Sequence, residues 1–273
     1  MSTPPSRPQI GGSAGKALST PNRLPSSKKL YKETVKILVG PGKEAYSVHK
    51  ELLCFYSDFF RAAFNGSFKE AIESRIELPD AEVSIFEAFQ TWLYARTLLN
   101  AEDPMDKPDR PFYHSHPILA KLWIFGDKYQ IPLLQNNVID IMHAKVEKDN
   151  NTPVKAIKLV YENTLPGSSL REAIVTIMAH KAKLSVTDGV LGTHFAEHWT
   201  LEAAIDVMDK AASAWKSDLP LWTLPKTERC HYHVHAEDAD SQRPRAVSRN
   251  TKKESIMMWK LSVLTAVEMV TRN

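Results

Sequence analysis

The sequence predicts an α+β fold: a small β-sheet flanked by α-helical hairpins, followed by an all-α helical extension. Three observations predict it. Apolar residues alternate with other residues, as in half-buried strands, in short runs at Val35, Ile37 and Val39, at Ala45 to Val48, and at Ile76 and Leu78. From residue 85 onward the apolar residues recur at helical spacing instead. A Pro- and Asp-rich stretch at 97–116 divides the helical part in two.

The elements follow in order. Residues 1–29 hold five Pro, three Gly and six Ser with almost no large apolar side chains, and read as a disordered tail. Gly40-Pro41-Gly42 turns the chain between the first two alternating runs, which makes them a hairpin. Leu52, Leu53, Phe55 and Tyr56 mark a short helix. Ser57 then caps a second helix carrying Phe59, Phe60, Ala63 and Phe64. After the strand at Ile76 and Leu78, Phe86, Phe89 and Leu93 give an amphipathic helix flanked by Ile85 and Trp92.

The stretch at 97–116, with Pro104, Pro108, Pro111 and three Asp, reads as a loop insertion. Pro117 and Pro132 suit the first turns of two further helices, one with Leu119, Leu122 and Trp123, the other with Leu134, Val138 and Ile141. The first domain therefore spans 30–148. A helical extension follows at 149–235, with helices opened by Thr152-Pro153 and Ser168 or Ser169. A shorter segment is marked by Leu191 and Phe195, and a last helix by Leu201, Ile205, Met208, Ala212 and Trp215. Residues 236–273 read as a mostly disordered tail.

Composition narrows the function. With 35 Lys and Arg against 32 Asp and Glu the net charge is +3, which falls short of the basic excess of a dedicated nucleic-acid binder. Only Cys54 and Cys230 are present, so no disulfide framework exists, and a cytoplasmic or nuclear location is expected. The most apolar stretch, Ala173 to Ala179, is far below membrane-spanning length, and no membrane partner is expected. There is no nucleophile beside a base, no carboxylate pair with split environments and no phosphate-cradling glycine loop. The chain is expected not to be an enzyme.

The order of elements resembles the BTB/POZ family, and the wording of several segments does too. Ser47-Val48-His49-Lys50 continues through Glu51-Leu52-Leu53 to Ser57-Asp58-Phe59-Phe60. Phe68-Lys69-Glu70, Ile76-Glu77-Leu78-Pro79-Asp80 and Phe86 through Trp92-Leu93-Tyr94 come next. Gly126-Asp127-Lys128-Tyr129-Gln130-Ile131-Pro132-Leu133-Leu134 is similar to the closing helical pair of fungal members. The likeness covers about residues 32–147. On the residues alone, His49 reads as a buried imidazole hydrogen-bonded to nearby backbone. Phe59, Phe60, Phe64, Phe86, Phe89 and Trp92 read as core.

The resemblance implies a non-enzymatic protein-interaction module: a scaffold, or a substrate adaptor recruiting targets to a cullin-RING ubiquitin ligase. In cullin-recruiting members a hydrophobic residue, any residue and Glu follow the short helical pair, and Phe68-Lys69-Glu70 matches. Phe68 would anchor in a partner pocket while Glu70 accepts hydrogen bonds at its rim. In the other reading, Phe68 folds back on the core and Glu70 only solvates the loop. Homodimers are common in the family, usually through a helix and strand ahead of the first hairpin. Residues 1–29 hold no amphipathic helix, which argues against the usual strand-exchanged homodimer and leaves a smaller or different self-interface open.

The alternative function is a nuclear transcriptional regulator that recruits corepressors. Arg243, Arg245, Arg249, Lys252 and Lys253 give it modest charge, without a zinc-finger array or recognition helix. Finally, Cys230-His231-Tyr232-His233-Val234-His235 alternates imidazoles at strand period, and Cys230, His233 and His235 are candidate ligands of a structural zinc. A second ligand pair is not evident, so a packed or solvated segment is the competing reading.

Overall fold

The computed structural model describes residues 27–99, 114–216 and 229–234. A short helix α1 (Ser27–Leu30) leads into β1 (Thr34–Val39), which pairs antiparallel with β2 (Glu44–His49) in register from Thr34 opposite His49 to Val39 opposite Glu44. The turn between them needs left-handed backbone, which Gly40 adopts at φ 70° and Lys43 at φ 53°. β3 (Arg75–Leu78) lies parallel to β1 on its other side, so the strand order is β2-β1-β3. A parallel partner requires a crossover. Here α2 (Lys50–Tyr56), α3 (Asp58–Asn65) and α4 (Lys69–Glu73) supply it.

Period-two alternation sorts the sheet faces as the sequence predicts. Val35, Ile37, Val39, Ile76 and Leu78 are buried, whereas Thr34, Lys36, Arg75 and Glu77 are exposed. The buried face joins Phe60, Phe86, Phe89 and Trp92, all fully buried, which confirms their reading as core. Phe59 is only partly buried and packs on that core. The last three of the fully buried four come from α5 (Val83–Ala95). Ser57 caps α3 by accepting from the Phe60 N–H at 3.0 Å, and its hydroxyl donates to the Tyr129 carbonyl at 2.6 Å.

Pro117 sits in the first turn of α6 (His116–Lys128), and Pro132 opens α7 (Pro132–Asp149). The two helices approach closely at Gly126, where a Cβ would meet Gln135 Cγ at 2.9 Å. Of the insertion at 97–116, Leu98 is buried and its carbonyl accepts from the His114 N–H at 3.2 Å. Residues 100–113 lie outside the described residues, as do 1–26 of the expected N-terminal tail and all of 236–273.

The extension holds α8 (Ile157–Asn163), preceded by a 3-10 turn at Val154–Ala156, then α9 (Ser169–Lys181) and α10 (Leu201–Lys216). Ser168 caps α9, accepting from the Arg171 N–H at 3.3 Å. Leu191 and Phe195 mark only a 3-10 turn, Thr193–His198, held by the Trp199 indole N–H donating to the Val190 carbonyl at 2.8 Å. α8 packs on α6 and α9 on α7, so residues of both halves form one continuous core.

Candidate functional site

The crossover between β1 and β3 leaves a protruding helix. Phe68 precedes α4 in extended backbone (φ −77°, ψ 162°), and its carbonyl accepts the N–H groups of Ala71 and Ile72. No residue of α4 is buried. Phe68 is 61% exposed and Ile72, four residues on, is 81% exposed, so this short segment holds two large apolar side chains in water. Phe68 does not fold back on the core. Its ring instead lies against Gly66, where a Cβ would meet Phe68 Cδ2 at 2.9 Å and the Ala62 carbonyl at 2.8 Å. Gly66 is therefore needed for close approach.

Charge surrounds this apolar pair. Lys69 reaches Glu73 at 3.6 Å, and Arg75 reaches Glu73 at 3.1 Å. The Glu70 carboxylate makes no hydrogen bond or ion pair among the described residues. It remains available to a donor from outside the chain.

A second surface cluster lies at the junction of β2 and α5. His49 is half-buried, and its Nδ1 lies 2.8 Å from the Tyr94 hydroxyl, which also accepts from the His49 N–H at 3.1 Å. Tyr31 contacts the same imidazole edge-on at 5.2 Å. The expected backbone partner of a buried imidazole is thus replaced by a tyrosine hydroxyl on a half-exposed one. Sequence reasoning had no signal for this pair, because Tyr94 stands 45 residues away on the exposed side of an amphipathic helix. Nearby, Arg96 ends α5 in the left-handed region at φ 60° and stacks its guanidinium over Tyr56 at 3.4 Å and Trp92 at 4.2 Å. Burial lowers its pKa to about 10, which leaves it cationic at neutral pH.

The Cys/His run docks on the helical core. Tyr232 is buried against His143 of α7, His233 Nε2 lies 3.1 Å from Asp140, and His231 Nε2 lies 2.9 Å from Glu172 of α9. Of the candidate zinc ligands, His233 is thus hydrogen-bonded to a carboxylate, while the Cys230 side chain and His235 lie outside the described residues. Among the described residues no group of three His, Cys, Asp or Glu is placed to hold a metal ion. Cys54 is a buried free thiol, its pKa pushed up to about 12 mainly by burial. A group held protonated in that way is a poor nucleophile.

The mixed three-stranded sheet is crossed over by three short helices, the last of which carries no buried residue, and the class of protein this defines is given by its family match. Residues 27–108 match the family model of the BTB/POZ domain, which spans α1 to α5 and the segment after it, and the chain carries a BTB/POZ domain there. BTB/POZ domains mediate protein–protein contacts and often dimerise. No curated protein matches the chain. No helix among the described residues is long and apolar enough to cross a membrane.

Proposed function

We propose that this protein is a non-enzymatic adaptor whose BTB/POZ domain docks on a cullin scaffold through Phe68 and Glu70. The helical extension orients a second protein beside it. The observation that carries this reading is the joint exposure of Phe68 and Ile72 on α4, beside the carboxylate of Glu70. An exposed Phe next to an aliphatic neighbour is a costly surface for a protein in water, and it suits a partner pocket that desolvates it. Glu70 then meets donors at the pocket rim through charge-assisted hydrogen bonds. The shared core of domain and extension supports a fixed geometry between the two binding surfaces.

Calorimetry with the N-terminal region of a cullin from the same organism tests the reading. Micromolar or tighter binding is expected for the wild type, with loss of at least tenfold in Phe68→Ala/Glu70→Ala. That variant is expected to keep its circular dichroism, since neither side chain is buried. Absence of wild-type binding sinks the cullin assignment.

A further inference from the structure

The last described segment lies along the seam between α7 and α9 in a way that resembles bound peptide more than packed core. α7 presents Asn136, Asp140 and His143 at i, i+4 and i+7, which is one stripe of the helix. Glu172 faces them from α9. The Val234 N–H donates to Asn136 Oδ1 at 2.7 Å, and Asn136 Nδ2 donates back to the Val234 carbonyl at 3.1 Å. One side chain thereby satisfies both main-chain groups of one residue, as a neighbouring strand would.

The rest of the segment keeps register with the same stripe. His233 pairs with Asp140 at 3.1 Å, and Tyr232, 4% exposed, lies against His143 with ring centres 5.6 Å apart and planes tilted by 30°. His231 reaches across to Glu172 at 2.9 Å. Residues 234, 233 and 232 thus meet 136, 140 and 143 in turn, so the segment runs antiparallel to α7. The seam offers a main-chain clamp indifferent to side-chain identity, one buried aromatic slot, and a carboxylate on either side of that slot. Each imidazole must present an N–H to its carboxylate. An acidic residue at either position would instead set two carboxylates together.

We propose that the α7–α9 seam is a peptide-docking groove that residues 231–234 fill in cis. Its chemistry selects a segment that leaves a single 3-10 turn, Arg229–Tyr232 in this chain, with an aromatic residue flanked by imidazole or other N–H donors and followed by an aliphatic one. Val234 fills that last position, half-buried against the core. Removal of the tethered aromatic opens the groove to the same segment supplied in trans.

The test uses the full chain carrying Tyr232→Ala and a fluorescent peptide of residues 227–236 with Ser in place of Cys230. Saturable binding is expected. It should weaken at least tenfold when Asn136→Ala is added to the chain, and equally when Tyr232 of the peptide is replaced by Ala. The wild-type chain should bind at least tenfold more weakly than the Tyr232→Ala chain, because the tethered segment competes at millimolar effective concentration. A folded Tyr232→Ala chain that shows no saturable binding, or binding indifferent to Asn136→Ala, overturns the proposal. Should that chain not fold, hydrogen exchange at the Val234 amide of the wild type decides: millimolar free peptide accelerates it if the groove exchanges occupants, and an unchanged rate overturns the proposal.

Discussion

Arg171 donates from Nη2 to the Tyr161 carbonyl at 2.7 Å while its guanidinium carbon lies 4.4 Å from the centre of the Tyr161 ring. The same guanidinium reaches Thr164 Oγ1 at 3.0 Å, the Thr164 carbonyl at 2.5 Å and Glu202 at 2.8 Å. Carbonyls at a helix C-terminus lack intrahelical donors, so this cation satisfies the end of α8 and ties it to the first turn of α10. Arg171 is only 7% exposed, and losing it strands the buried Tyr161 carbonyl and the part-buried acceptors of Thr164. Arg171→Met is expected to cost about 3 kcal/mol in urea denaturation. Arg171→Lys should recover less than half, because an ammonium cannot reproduce the planar fork. An unchanged midpoint in Arg171→Met would remove this role.

Ser57 joins two helices that are far apart in sequence. Its fully buried hydroxyl accepts from Phe60 as a helix cap and donates to Tyr129 at the end of α6. Ser57→Ala therefore removes a cap and leaves a buried carbonyl without its donor. The combined cost is about 2 kcal/mol. Denaturation of Ser57→Ala and Ser57→Gly against wild type measures it. A loss below a few tenths of a kcal/mol would show that the hydroxyl makes no net contribution.

His116 couples stability to pH. Burial holds its pKa down at about 4, against an ordinary 6.5, despite the hydrogen bond from Nε2 to the Asn151 carbonyl at 2.7 Å. Between those values the unfolded chain binds a proton at this residue and the folded chain does not, so stability falls as pH falls from about 6.5 toward 4. The full interval corresponds to about 3 kcal/mol. Asp58 and Asp127 act in the opposite sense as pH falls through their titration, since burial raises both carboxyls. Urea denaturation at pH 7 and pH 5 should show the wild type less stable at pH 5, and His116→Gln should flatten most of that difference. A His116→Gln chain with the wild-type slope would refute the assignment.

Local signals account for much of this fold, since the caps made by Ser57 and Ser168 and the first-turn prolines Pro117 and Pro132 each act on neighbouring residues. Strand alternation placed the sheet face correctly because burial on one side forces it. The Phe68-Lys69-Glu70 pattern was legible, whereas the exposure of Phe68 was not: it depends on how α4 leaves the crossover. Arg171 gave no signal, because a charged residue inside a helix reads as solvated until its acceptors arrive from α8 and α10. The same holds for Asn136, whose partner Val234 is 98 residues away. Contacts between distant elements are set by packing, and period and capping carry no record of them.

α10 shows how a correct period can still leave the buried face open. Leu201, Ile205, Met208 and Ala212 mark the helix, but Leu201 is 72% and Met208 55% exposed. The buried face of this helix, which contacts α9 and α8, holds the smaller residues Ala203, Val207 and Ala211. Small side chains let two helix axes approach closely, and an aspartate among them would bury an unpaired charge. Val207→Asp is therefore expected to cost more than about 3 kcal/mol or to leave the chain insoluble, while Met208→Asp should change stability by less than about 0.5 kcal/mol. Comparing the two variants by soluble yield and urea denaturation checks this directly. If Met208→Asp were as damaging as Val207→Asp, the outer stripe of α10 would be covered in solution, and its cover would have to be another protein surface.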